Sequence, residues 1–170
     1  MAQIERVEMT PEIIDRDEFI VVGVRGVQEK GAQTADTLWK DQFLPRHNEV
    51  AGADHCYYGV FSSLPGDQAA KYEYVAGMIG SLDGIPTGMV GWVIPQGRHA
   101  QVEARGLSNI AEVCRQLITD WLPDSGYRMA DSPIFAYTRS EHPDSPDAIW
   151  HINLPIETPE ELEELKRWQI

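Results

Sequence analysis

The pattern of apolar and polar positions divides this chain into short strands and three helical stretches. Residues 4–16 are interrupted by Pro11 and suit only the edge of a sheet, because proline cannot donate to an inner ladder. Asp17-Glu18 turns the chain. Phe19-Ile20-Val21-Val22-Gly23-Val24 is a β-branched run and predicts a strand, followed by a loop from Gly26 to Gly31. Ala35, Leu38, Trp39 and Phe43 fall at helical spacing and predict a helix over 34–47, bent or ended by Pro45. Tyr57–Phe61 and Lys71–Met78 predict two further strands. In the second of these Tyr72, Tyr74, Ala76 and Met78 share one face, and Lys71, Glu73 and Val75 share the other.

The turn-rich segment 80–88 marks a joint, after which the same order begins again. Met89–Ile94 and His99–Arg105 predict paired strands around Pro95-Gln96-Gly97. Ile110, Val113, Cys114, Leu117, Ile118 and Trp121 give the chain's strongest helical period, with Ser108 as N-cap and Pro123 to Gly126 as the exit. Pro133–Thr138 and Ile149–Ile156 predict the last strands, separated by the proline-bearing loop 141–147. Thr158-Pro159-Glu160-Glu161 is a capping box that opens a short acidic helix ending near Trp168. Its narrow stripe of Leu162, Leu165 and Trp168 suits docking on its own domain or on a partner. The order strand-strand-helix-strand-strand thus occurs twice, over residues 3–78 and 88–156. The expected fold is α+β: duplicated β-β-α-β-β halves, each an antiparallel sheet backed by one helix, related by a pseudo-twofold axis around a central cleft. One domain covers 1–156, and the acidic helix covers 157–170.

Composition narrows the function. Hydrophobic residues make up 42% of the chain, enough for a core, yet no run approaches the ~18 apolar residues of a membrane span. The first residues lack the basic and apolar regions of a secretory signal, so the expectation is a soluble, cytoplasmic protein with no membrane partner. A net charge of −13 repels phosphate backbones and argues against direct nucleic-acid binding. Cys56 and Cys114 are far apart and suit buried small hydrophobes. His47, His55, His99, His142 and His151 have no metal-ligand spacing, and no nucleophile motif or phosphate-cradling loop occurs. Neither a metal nor a cofactor is expected.

What remains is aromatic: five Trp, six Tyr and four Phe. Planar faces take flat lipophilic ligands and cations. The pocket candidates are Trp39, Tyr58, Trp92, Phe135, Tyr137 and Trp150, each of which equally suits a core. Trp121, on an otherwise aliphatic helix face, reads as core. Tyr137 has a polar tip that needs a partner.

Several stretches in this order resemble the effector-binding domain of AraC-type transcription activators, also called the GyrI-like (gyrase-inhibitory-protein-like) family. They are Tyr72-Glu73-Tyr74-Val75-Ala76-Gly77, Ile85-Pro86-Thr87-Gly88-Met89, Pro95 to Val102, Trp121 to Tyr127, Asp131 to Phe135 and Trp150 to Ile156. No single motif is specific; their order and spacing carry the likeness across most of 1–156. The resemblance implies a bacterial domain that binds hydrophobic small molecules, multidrug and cationic compounds among them, between its halves. Here no segment reads as a DNA-binding domain, so a transcription regulator or another protein is the expected partner. Two alternatives follow from the same likeness: a hydrolase of strained cyclopropane rings, and a protein-interaction module of the gyrase-inhibitor type. The resemblance also implies a pocket glutamate directly after the strand phenylalanine, but Ala136 follows Phe135. Glu73, Glu103 or Glu141 would have to replace it, and Glu73 equally suits a solvent-facing ion pair. No catalytic residue is assigned.

Overall fold

In the computed structural model, residues 10–29, 37–50, 55–62 and 71–159 are described. The strands are β1 (Glu12–Arg16), β2 (Phe19–Glu29), β3 (Tyr57–Phe61), β4 (Lys71–Ile79), β5 (Val90–Ile94), β6 (Gly97–Arg105), β7 (Arg128–Met129), β8 (Ile134–Thr138) and β9 (Ile149–Glu157). They form one antiparallel sheet in the order β1-β6-β9-β8-β3-β4-β2-β5, with the short β7 beside β9. The acidic helix beyond residue 159 and the first part of the 4–16 segment lie outside the described residues.

This order reads the same from either end once the halves are matched, β1 with β5, β2 with β6, β3 with β8 and β4 with β9. The duplication in the sequence is therefore a pseudo-twofold in space, with its axis between β3 and β8. Tyr58 pairs with Tyr137 and Val60 with Phe135 across that axis. What the pattern did not carry is an exchange. The first strand of each half leaves its own half, so that β1 pairs with β6 and β5 pairs with β2. The halves are fused through β3 and β8 into one sheet. The expected edge placement of the first strand holds for β1, which pairs only with β6.

Three local expectations need correction. β2 does not stop at a loop after Val24 but runs to Glu29, because its ladder with β4 continues to Glu29 opposite Lys71. The first helical segment, α1, is a π-helical Leu38–Phe43 followed by a 3-10 stretch Leu44–Glu49. Pro45 lies in the first turn of that 3-10 stretch; with no N–H to donate, it cannot extend a regular α ladder. The second segment, α2, runs from a 3-10 turn Leu107–Asn109 through the α-helical Ile110–Gln116 and a π turn Leu117–Trp121 to a 3-10 turn Leu122–Asp124. Ser108 does not cap it; the Asn109 side chain instead donates to the Arg105 carbonyl at 2.6 Å. Trp121 is half-buried, packs against the core as its helix face leads one to expect, and stacks on Tyr127 with ring centroids 6.1 Å apart.

Both helical segments pack on one face of the sheet. There Val22, Tyr74, Ala76, Ala136, Ile152 and Leu154 meet Leu38, Trp39, Phe43, Ile110, Cys114 and Leu117. At the centre of the other half of the sheet, β2 and β4 approach too closely for side chains. A methyl on Gly23 would overlap the Ala76 carbonyl and stand 2.5 Å from the Gly77 Cα. Gly23→Ala is expected to cost roughly 2–3 kcal/mol, an overpacking penalty against rigid backbone. Gly97→Ala meets nothing within 4 Å and serves as its control, changing stability by under about 0.5 kcal/mol. Denaturant midpoints of the two variants check this, and equal midpoints would overturn it.

Candidate functional site

The chain connects β1 to β2 through only Asp17-Glu18, yet six strand spacings separate β1 from β2 in the sheet. Flat, those strands would lie about 29 Å apart, whereas Arg16 and Phe19 can be separated by at most about 11 Å. The sheet must curl until its ends meet. The face opposite the helices becomes the inside of a trough, and ring contacts across it show this. Phe19 on β2 reaches Phe135 on β8 with centroids 5.1 Å apart, although β3 and β4 lie between those strands.

Five of the seven sequence-predicted residues share the trough side. Tyr58 lies 6.2 Å from Phe135 and 5.7 Å from Tyr137, and Trp92 packs beside them. Glu73 is also on this side, at its rim. It is paired with Arg25 at 3.0 Å and well exposed, which is the solvent-facing ion pair that its strand position allowed. Trp39 and Trp150 are on the opposite, helix-covered side. They touch each other at 5.7 Å and are fully buried, and Trp39 donates from Nε1 to the Tyr74 hydroxyl at 2.8 Å. The predicted set is thus split by the sheet. Strand alternation also relocates the expected glutamate position. Ala136 faces the helices, while Phe135 and Tyr137 face the trough. On β8, a carboxylate facing the trough would have to stand at 135 or 137, not at 136.

A second set of trough residues includes Glu103, a candidate from the sequence, and four polar neighbours that the sequence did not single out as pocket residues. On β6, His99, Gln101 and Glu103 alternate with the buried Ala100 and Ala104; on β9, His151 and Asn153 alternate with Trp150, Ile152 and Leu154. The signal was there as a polar stripe of period two, but only its apolar complement was read. Arg16 on β1 holds the stripe together. It donates from Nε to Asn153 Oδ1 at 2.9 Å and from Nη2 to Gln101 Oε1 at 2.6 Å. Gln101 Oε1 also accepts from the Tyr137 hydroxyl at 3.2 Å and from Asn153 Nδ2 at 3.3 Å. The Arg16 guanidinium lies over the rings of Phe135 (5.5 Å) and Tyr137 (5.6 Å), and Arg139 covers Tyr137 from outside at 5.4 Å. His151 stacks on Tyr137 at 4.8 Å. Its pKa is lowered by burial, a shift opposed by Glu103, whose carboxylate lies 3.9 Å from Nδ1 at an exposed position.

His99 is 1% exposed and packs on Phe135 at 5.1 Å. Burial and the neighbouring Arg16 charge push its pKa down to about 4, against a weaker opposing contact with the Gly97 backbone. At neutral pH it is an uncharged imidazole. His99 and Arg16 line a cavity of about 750 Å³ at one end of the trough, together with Pro95, Gly97, Pro155 and Ile156. Asp17 and Asp131 stand at its outer rim.

A smaller cavity of about 460 Å³ lies on the helix side between His47, His55, Tyr57 and Glu141. Burial, and then the Glu141 carboxylate, raise the Tyr57 pKa. Glu141 therefore does not enter the trough. Among the described residues no group of three or more His, Cys, Asp or Glu could hold a metal ion. Cys56 and Cys114 are free and buried, and burial raises the Cys114 thiol to about 12, so it is an inert packing group.

The sequence profile of the GyrI-like small molecule binding domain matches residues 9–157. The chain belongs to this family. No curated protein sequence matches it. Among solved structures, this GyrI-like domain superposes on SAV2435 bound to tetraphenylphosphonium with a TM-score of 0.64 at 14% identity, over 92% of this chain and 99% of that one. EcmrR, in a complex with DNA, gives a TM-score of 0.66 at 15% identity over 91% of this chain, which spans 60% of the EcmrR chain. A hydrolase from Listeria innocua gives 0.51 at 12% identity, over 86% of this chain and 91% of that one. These likenesses establish the fold shared by the domains. Among the described residues no helix is long and apolar enough to cross a membrane.

Proposed function

We propose that this GyrI-like domain binds a flat, lipophilic small molecule in the trough and serves as the sensing element of a bacterial, cytoplasmic transcription regulator. The observation that carries this reading is the convergence of Phe19, Tyr58, Phe135 and Tyr137 on one face, in contact with Arg16 and His99, which line a cavity of about 750 Å³. Stacking surface beside open volume is what a planar apolar ligand needs. The net charge of −13 supports a sensor that acts on a regulator, in the same or another polypeptide, without touching nucleic acid itself.

The hydrolase alternative needs a carboxylate within hydrogen-bond reach of a reacting atom. The Tyr137 hydroxyl has the Gln101 amide as its partner, and Glu73 and Glu103 sit at exposed positions. Binding without turnover fits this arrangement better. The protein-interaction alternative draws on no feature of the trough.

Titration of the purified protein with a neutral fluorescent dye such as Nile red tests the reading. Saturable binding is expected, weakened about tenfold by Tyr137→Ala, the effect of losing one aromatic contact of about 1.4 kcal/mol. Absence of binding by neutral, cationic and anionic dyes alike would overturn it.

A further inference from the structure

We propose that the inner end of the trough is an anion site, so that the ligand of this domain carries a carboxylate seated between Arg16 and His99. This rests on the trough being the ligand site. It reverses the charge preference expected from the family resemblance.

A guanidinium held among aromatic rings normally has a carboxylate partner, because removing an unpaired charge from water is costly. Among the described residues Arg16 has only neutral acceptors, the amides of Asn153 and Gln101, reached from Nε and Nη2 and not from Nη1. The two trough rings beneath it, Phe135 and Tyr137, are already covered by its cation. A ligand cation would have to displace Arg16 or sit beside it, and either is unfavourable. A ligand carboxylate would supply the missing counter-charge in the fork geometry that guanidinium favours.

His99 is the second observation. It is 1% exposed, lines the same cavity, and among the described residues neither ring nitrogen makes a hydrogen bond of good geometry. An unpartnered buried imidazole offers one N–H donor to a carboxylate oxygen while remaining neutral. Pro95 and Pro155 offer apolar wall beside the pair for a ligand's hydrocarbon body, while Gln96, Arg98 and Ser132 make the rest of the lining polar.

Acidic residues stand at the mouth, and they do not cancel this preference. Asp15 is engaged by Arg98 at 3.0 Å, and Glu157 lies 3.6 Å from Arg128. Asp17 and Asp131 are exposed, where water and salt screen them. Their field slows the approach of an anion more than it weakens a desolvated pair inside. The acidic mouth also favours a ligand whose far end is neutral or basic.

Three probes with one ring system isolate the charge: 2-naphthoate, 2-naphthamide and 2-naphthylmethylammonium, titrated calorimetrically. Naphthoate is expected to bind at least about tenfold more tightly than naphthamide, the contribution of a charge-assisted hydrogen bond in a partly buried site. Arg16→Met should bring the two to equal affinity while naphthamide binding stays within about twofold of the unaltered protein. If that variant does not fold, the unaltered protein still decides, because bound naphthoate must shift the Arg16 Nε–H resonance and naphthamide must shift it less. Naphthamide binding as tightly as naphthoate, or the ammonium binding most tightly, would overturn the anion site and leave the trough standing. Binding of none of the three, with Nile red also failing, would remove the trough reading and this inference with it.

Discussion

Trp150→Ala is expected to lower the stability of the domain by about 4 kcal/mol, the middle of the range for truncating a buried aromatic. Trp150 is fully buried on β9 and packs against Trp39, which in turn meets Phe43 and Tyr57 at 5.5 and 5.7 Å. Removing the indole leaves a cavity between the sheet and α1, whose π-helical and 3-10 backbone has little regular structure of its own to keep it in place. Trp150→Phe discriminates the source of the loss. The indole Nε1 is buried and has no hydrogen-bond partner among the described residues. Phenylalanine discards that unsatisfied donor, relieving roughly 1–3 kcal/mol, while giving up part of the ring volume. The phenylalanine variant should therefore melt within about 1 kcal/mol of the unaltered protein. Urea denaturation of both variants measures the difference. Equal losses for alanine and phenylalanine would mean that the N–H is satisfied, by water or otherwise, and that the account of this core is wrong.

Acid sensitivity is the second large effect, and its sign follows from His99. The imidazole has a pKa of about 4 in the folded protein, below its ordinary 6.5, because burial and the Arg16 charge oppose protonation. Between these values the unfolded chain binds the proton and the folded chain does not, so stability rises with pH. The contribution of the neutral histidine is complete above pH 6.5. It is lost progressively as pH falls from 6.5 to 4 and is constant below that. Over the whole window the loss is about 3 kcal/mol. His151, whose pKa is lowered in the same direction, adds a smaller loss of the same sign. In His99→Leu the drop between pH 7 and 4.5 should shrink to a minor part of its size. Chemical denaturation at a series of pH values reads this out directly. A decline as steep in the leucine variant as in the unaltered protein would exclude His99 as its source. A carboxylate bound beside Arg16 would offset part of that charge, so saturating 2-naphthoate should also soften the acid decline.

The two effects lie on opposite faces of one sheet, and the division bears on function. The helix-covered face is filled by large aromatics and gains its stability from their packing. The trough face carries a smaller apolar cluster around a polar network centred on Gln101 and leaves open volume at one end. A substitution on the first face should act through folding, whereas one in the trough should act on binding with less cost to the fold.

Much of the architecture was legible along the chain. Period-two alternation located the strand of Ile149–Ile156 to within a residue, because a strand buried on one face must alternate and its side chains leave no other register. The helical stripe from Ile110 to Trp121 located α2 for the corresponding reason, and the repeated order of elements revealed the duplication. Backbone detail was less visible. Pro45 announced a disturbance in α1, but whether the chain would bend, stop or widen into a π turn depends on what its side chains meet, above all Trp39 against Tyr74 and Trp150.

The site was legible only in part. Composition supplied the aromatic residue types, and strand phase put Phe135 and Tyr137 on one side. Sequence could not say which side faces the helices, since a strand buried on both faces carries no polar phase to distinguish them: all of Ile134–Thr138 is buried. It therefore grouped Trp39 and Trp150 with residues on the far side of the sheet. Nor could it bring Arg16 to Phe135, residues 119 positions apart that meet because the two-residue β1–β2 link forces the sheet to curl. Local periodicity determined which residues share a strand face. Only the closure of the sheet, a long-range constraint of chain connectivity, decided which faces look at each other and placed a cation in the trough.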